Sequence, residues 1–77
     1  MNFNQIAYFV EIVNCGSISK AADKLFISQS ALTLSLQSME KELGFKLLNR
    51  TYSGSSCTPE GEIFYQDALQ ILNFQKK

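Results

Sequence analysis

Residues 16–44 read GSISKAADKLFISQSALTLSLQSMEKELG, two helix-forming runs separated by a few residues. In the second run Leu32, Leu36, Met39 and Leu43 recur at i, i+4, i+7 and i+11, which predicts a helix from about Gln29 to Leu43 with one narrow apolar seam. Gly44 supplies its stop. Gln29, Ser30, Thr33, Leu34, Gln37 and Lys41 fall away from that seam, so the helix offers an outward face that is polar except at Leu34. In the first run Ser19 is a candidate N-cap, and Ile18 just before it can staple onto the first turn. Ala21, Ala22 and Leu25 form a buried side that another helix can approach closely. Ser28 caps the longer helix, and the short join before it defines a tight helix-turn-helix connection.

Upstream, Phe3, Ile6, Ala7, Val10 and Val13 follow helical spacing, and Tyr8, Phe9 and Ile12 widen the apolar face so that this first helix meets more than one neighbour. It runs to about Cys15, where Gly16 closes it. Downstream, residues 45–58, FKLLNRTYSGSSCT, have β-prone pieces around a Ser-Gly-Ser-Ser tip and predict a small hairpin. At Thr58-Pro59-Glu60 a helix restarts with a capping hydroxyl, proline in the first position, and Glu60 and Glu62 at the positive end of the dipole. Phe64, Ala68, Ile71 and Leu72 make an apolar stripe on it, joined by Ile63, Tyr65 and Leu69. This is more apolar surface than one small domain covers, and it points to a dimer contact or to packing against a further domain. The helical pattern reaches Lys76-Lys77 without a stop signal, as in a helix cut short. The fold expected is mainly α with a small β-hairpin: a winged helix-turn-helix over residues 1–58, then the fourth helix over 59–77.

The 77 residues suffice for one domain, and with 45% hydrophobic and 18% charged residues they can build a core. Histidine is absent, which removes the usual general base and triad partner, and no glycine-rich phosphate loop occurs. Enzymatic activity is not expected. Cys15 and Cys57 stand far apart with no Cys-x-x-Cys spacing, so neither a metal nor another cofactor is implied, and both cysteines read as small buried groups. No apolar run approaches the ~18 residues of a membrane span and the N-terminus lacks a basic signal-peptide patch, so a soluble, cytoplasmic protein is expected. Asn49-Arg50-Thr51 matches a glycosylation sequon, which has no bearing in that setting. Seven Lys plus Arg balance seven Asp plus Glu. Charge alone therefore gives no case for nucleic-acid binding.

The pattern does. Tyr8-Phe9-Val10 lies in the first helix, and Gly16 to Ala22 forms a Gly-Ser-hydrophobic-Ser-x-Ala-Ala run. Leu25, Ser28-Gln29, Ala31-Leu32, Glu40, Leu43-Gly44, Leu47, Arg50, Thr58-Pro59 and Gly61 continue in one ungapped register. In these features the chain resembles the DNA-binding domain of LysR-type transcriptional regulators over essentially its whole length. The resemblance implies double-stranded DNA as partner and a homodimer formed through the fourth helix as a linker helix. It also implies a small-molecule effector bound only by a domain outside this chain, and no membrane association. Three departures stand out. The family usually has proline at the position of Ser30 and often arginine or another polar residue at that of Leu34. Its wing is commonly arginine-rich, whereas Tyr52 to Cys57 carries no positive charge.

On this reading the base-contacting candidates are Gln29, Ser30, Thr33, Leu34 and Gln37, because side chains in the first half of such a helix reach base edges in the major groove. Gln29 and Gln37 can each pair with adenine, and Leu34 can meet a thymine methyl. Ser19, Lys20, Lys41, Lys46, Arg50, Ser53 and Ser55 are the phosphate candidates. Arg50 and Lys46 flank the first wing strand, with a surface ion pair to Glu40 or Glu42 as the alternative, and Lys24 lies near enough to the same face to be considered. Phe64, Ala68, Ile71 and Leu72 are the dimerisation candidates. A winged-helix module that binds protein through Leu34 and the fourth helix, with little or no DNA affinity, is the competing expectation, and zero net charge favours it.

Overall fold

The computed structural model describes the backbone of residues 1–51 and 54–76 and the side chains of residues 1–49 and 54–73. Helix α1 (Phe3–Cys15) opens on a capping box in which Asn2 and Gln5 each bond the other's backbone N–H, at 2.9 and 3.0 Å, and it ends at Gly16 in the left-handed region. Helix α2 (Ile18–Leu25) starts two residues earlier than a Ser19 cap requires. Ser17 is the cap, accepting from the Lys20 N–H at 3.1 Å, and Ser19 lies inside the first turn. The earlier start makes Ile18 the first helical residue and buries it, together with Ala21 and Ala22. Ile18 is therefore a core residue and not a staple ahead of the cap. Helix α3 (Gln29–Leu43) has the expected bounds, capped by Ser28 through the Ala31 N–H at 3.1 Å and closed by Gly44 at φ 84°.

Phe9, Ile12, Leu32, Met39 and Leu47 are the largest fully buried side chains, and they gather α1, α3 and the segment before the hairpin around one centre. Strands β1 (Leu48–Thr51) and β2 (Gly54–Cys57) pair antiparallel, with Leu48 opposite Cys57 and Arg50 opposite Ser55. The wing is tied to the helices at both ends. The Ser55 N–H donates to the Gly16 carbonyl at 2.9 Å, and the Glu40 carboxylate of α3 accepts from the Leu47 N–H at 2.7 Å. These bonds fix the angle between wing and α3.

Helix α4 (Pro59–Lys76) begins where the sequence places it. The buried Thr58 hydroxyl donates to the Lys46 carbonyl at 2.5 Å and accepts from the Gly61 N–H at 2.9 Å, so one side chain caps α4 and anchors it to the wing. Phe64 and Tyr65 meet Phe9 edge-on, at ring-centroid distances of 5.5 and 6.4 Å, and the Tyr65 hydroxyl donates to Asn14 Oδ1 at 2.6 Å. The expected apolar stripe is thereby divided. Ala68 is wholly buried in the chain's own core, and Phe64 and Leu72 pack against that core, whereas Ile71 stays 41% and Ile63 68% exposed. The physical reason is the width of α1's apolar face, which takes up one side of α4 along with α2 and α3. Among the described residues of α4 the exposed large apolar side chains are Ile63 and Ile71, two turns apart.

Candidate nucleic-acid interface

The first half of α3 projects from the molecule. Gln29, Ser30 and Gln37 are exposed, Leu34 is 65% exposed, and Thr33 is half-buried with its own bonding partner. Opposite them Leu32, Leu36 and Met39 are buried, so the face is held out by its own seam. The turn before it is made by Phe26 in the left-handed region at φ 59°, a conformation uncommon outside glycine. The following Ile27 N–H returns to the Ala22 carbonyl at 3.1 Å, which turns the chain sharply into α3. Phe26 itself is 94% exposed. Across the turn the Gln29 amide nitrogen donates to the Ser19 hydroxyl at 3.2 Å, joining the first turns of α2 and α3.

Lys20, Lys41 and Lys46 are exposed, Lys41 lying in the last turn of α3 and far from its N-terminal end. Lys46, Gln37 and Asn49 line a cleft of about 350 Å³ between α3 and β1, with the Glu40 carboxylate at its side. Asn49 has no signal in the sequence beyond the alternation of the strand, which turns Leu48 inward and Asn49 outward. Ser55 sits half-buried where the wing meets the α1–α2 turn. The Arg50 side chain and Ser53 lie outside the described residues, as do Tyr52 and the wing tip. Among the described residues Glu40 holds the Leu47 amide, and Glu42 pairs with the N-terminal ammonium at 2.7 Å. Lys24 pairs with Glu11 at 2.9 Å, and that carboxylate holds the Lys24 ammonium above its ordinary range while Lys24 lowers the pKa of Glu11. Lys24 therefore lies against α1 in an exposed ion pair. Burial, reinforced by Glu11 and Glu62 respectively, pushes the Cys15 and Cys57 thiols up, away from the reactive thiolate form.

A short helix, a left-handed turn, a projecting second helix and a flanking antiparallel hairpin define a winged helix-turn-helix domain. The chain belongs to the bacterial regulatory helix-turn-helix proteins of the lysR family, whose sequence model matches residues 3–62. It is 44% identical over 73 residues to the HTH-type transcriptional regulator BenM of Acinetobacter baylyi, covering 95% of this chain and 24% of that protein. It is likewise 44% identical over 72 residues to the nitrogen assimilation regulatory protein nac of Escherichia coli, covering 94% and 24%. The chain thus spans about a quarter of the length of these curated relatives. Among solved structures it resembles the BenM DBD complex with catB site 1 DNA, with a TM-score of 0.95 and 42% identity over 99% of this chain and 84% of that one. The CbnR DBD complex with DNA matches with a TM-score of 0.93 and 36% identity, covering 99% and 87%. The first of these relatives is named as a transcriptional regulator and the second as a regulatory protein, and no helix among the described residues is long and apolar enough to cross a membrane.

Proposed function

We propose that this chain is the DNA-binding domain of a cytoplasmic transcriptional regulator that is not an enzyme. It places the first half of α3 in the major groove of double-stranded DNA and works as a homodimer on two half-sites. The observation that carries the reading is the outward face of Gln29, Ser30, Leu34 and Gln37, all exposed, with the half-buried Thr33 among them, on a helix braced from behind by its own buried seam. Such a rigid, projecting helix suits the groove. The DNA complexes of two structural neighbours support it. Residues 1–58 supply the DNA contacts, with Ser19, Lys20, Lys41, Lys46, Arg50, Ser53 and Ser55 as the phosphate set. Residues 59–77 supply the link to a further domain, where a small-molecule effector binds.

The dimer contact runs along α4 through Ile63 and Ile71, with the rims of Phe64 and Leu72 contributing. On another side of α4 a groove of about 500 Å³ opens against α1, lined by Phe3, Val10, Leu69 and Leu72 among others. Sedimentation of the 77-residue chain at tens of micromolar is expected to reveal self-association that Ile71→Asp abolishes. A monomer unaffected by that change would remove α4 from the interface.

The test of the DNA-binding reading is selection from random duplexes followed by a salt titration. Lys24 is paired, which leaves few free cations among the described residues, so roughly two to four phosphates are neutralised per subunit. At about 0.9 log units per phosphate, a dimer should show a slope near −4 to −7 against log salt. Failure to select any sequence, with no binding at low salt, would favour the protein-binding module.

A further inference from the structure

The side-chain contact between the first turns of α2 and α3 is the Gln29 amide nitrogen donating to the Ser19 hydroxyl at 3.2 Å. Neither helix needs it for closure, because Ser17 caps α2 and Ser28 caps α3. Both residues are exposed on the side of the molecule that α3 presents. A serine hydroxyl has one hydrogen to give and two lone pairs to receive. While accepting from Gln29, Ser19 therefore keeps its own hydrogen for an outside acceptor. The Gln29 carboxamide keeps its second amide hydrogen and Oε1. These are the adjacent donor and acceptor that pair with N7 and N6 of adenine.

We infer that Ser19 is a positioning residue for base readout: it fixes the orientation of the Gln29 carboxamide while donating to a DNA phosphate. The inference rests on the DNA-binding reading above. A phosphate oxygen can only accept, so Ser19 must donate to it and must in turn accept from Gln29. This chain of bonds selects the rotamer with Nε2 toward Ser19 and Oε1 toward the base. The opposite amide flip would require Ser19 to donate to Oε1 and would leave the phosphate unbonded. Seating α2 on the backbone and reading a base with α3 thus become one coupled event. Fixing a long side chain before binding also removes part of the ordering cost that binding would otherwise carry.

The test compares the 77-residue chain with Ser19→Ala, Ser19→Thr, Gln29→Ala and the Ser19→Ala/Gln29→Ala double variant. Base-preference profiles come from selection on random duplexes, with thermal unfolding measured alongside. Ser19→Ala is expected to relax preference at the same base position as Gln29→Ala, by about two- to tenfold, which is the worth of one hydrogen bond. Ser19→Thr should restore it. Adding Ser19→Ala to Gln29→Ala should change the preference at that position no further, since the two residues act as a unit. A Ser19→Ala variant that loses affinity equally for all sequences, with its profile intact, would make Ser19 a phosphate contact alone and overturn the inference. Additive losses of preference in the double variant would overturn it as well. If the unsubstituted chain selects no sequence, the DNA-binding reading itself fails and the inference falls with it.

Discussion

Replacing Phe9 by alanine is expected to cost about 3–5 kcal/mol of folding stability, the range for removing a large aromatic side chain from a packed core. Phe9 is 1% exposed and meets both Phe64 and Tyr65 of α4 edge-on. Its removal opens a cavity where α1 holds α4, in a close-packed core that also buries Ile12 and Ala68. For 77 residues the whole stability is of order 4–12 kcal/mol, so this one change takes a large share of it. Urea unfolding followed by circular dichroism measures the loss. A cost below about 1 kcal/mol would mean that α4 is not docked as described.

Alanine at Gly61 is the second large effect, and two contributions oppose each other there. Gly61 lies in the first turn of a helix, where alanine is favoured by up to about 1 kcal/mol. A Cβ at this position, however, would lie 2.0 Å from the Leu47 carbonyl oxygen and 2.9 Å from its carbon. Those atoms are backbone. They are also fixed by the bond from the Thr58 N–H to that same oxygen at 3.1 Å and by Glu40 on the Leu47 amide. The chain must shift at the junction of α4 and the wing, and the net loss should reach the upper part of the ~1–3 kcal/mol range for overpacking. Urea midpoints of the glycine and alanine forms decide it. A more stable Gly61→Ala protein would show that helix propensity outweighs the contact.

Gly16 and Gly44 mark the ends of α1 and α3 because a left-handed residue is needed there and glycine adopts it freely. The end of α2 carries no such mark. Phe26 takes the same conformation, held by the return of Ile27 to the core, and no local pattern distinguishes it from an ordinary linker residue. Ser17 and Ser19 are both able to cap. The choice falls on Ser17 because the earlier start brings Ile18 into the core along with Ala21 and Ala22. On α4 the apolar positions occupy two faces, and periodicity cannot say which one α1 will cover. The width of α1's own apolar face decides it, so Ala68 goes inward and Ile63 outward.

The candidate interface divides in the same way. The outward face of α3 follows from spacing alone, because a buried seam at Leu32, Leu36 and Met39 leaves one direction for Gln29, Ser30, Leu34 and Gln37. Which cations remain free depends on pairings between elements, and these are tertiary facts. Lys24 is engaged by Glu11 of α1, and Lys46 shares its cleft with Asn49 and Gln37. The Ser19–Gln29 bond could not be read from a sequence in which Ser19 serves equally well as a cap.

The most direct measurement of the central claim is the change in amide chemical shifts, residue by residue, when the chain is titrated with a duplex obtained by selection. The largest changes are expected from Ser28 to Gln37 and around Ser19, with smaller ones near Lys46 and Asn49 and little effect along Ile63 to Ile71 beyond that of dimerisation. Changes confined to α4 and the Phe26 turn, with the first half of α3 unmoved, would contradict the placement of α3 in the groove.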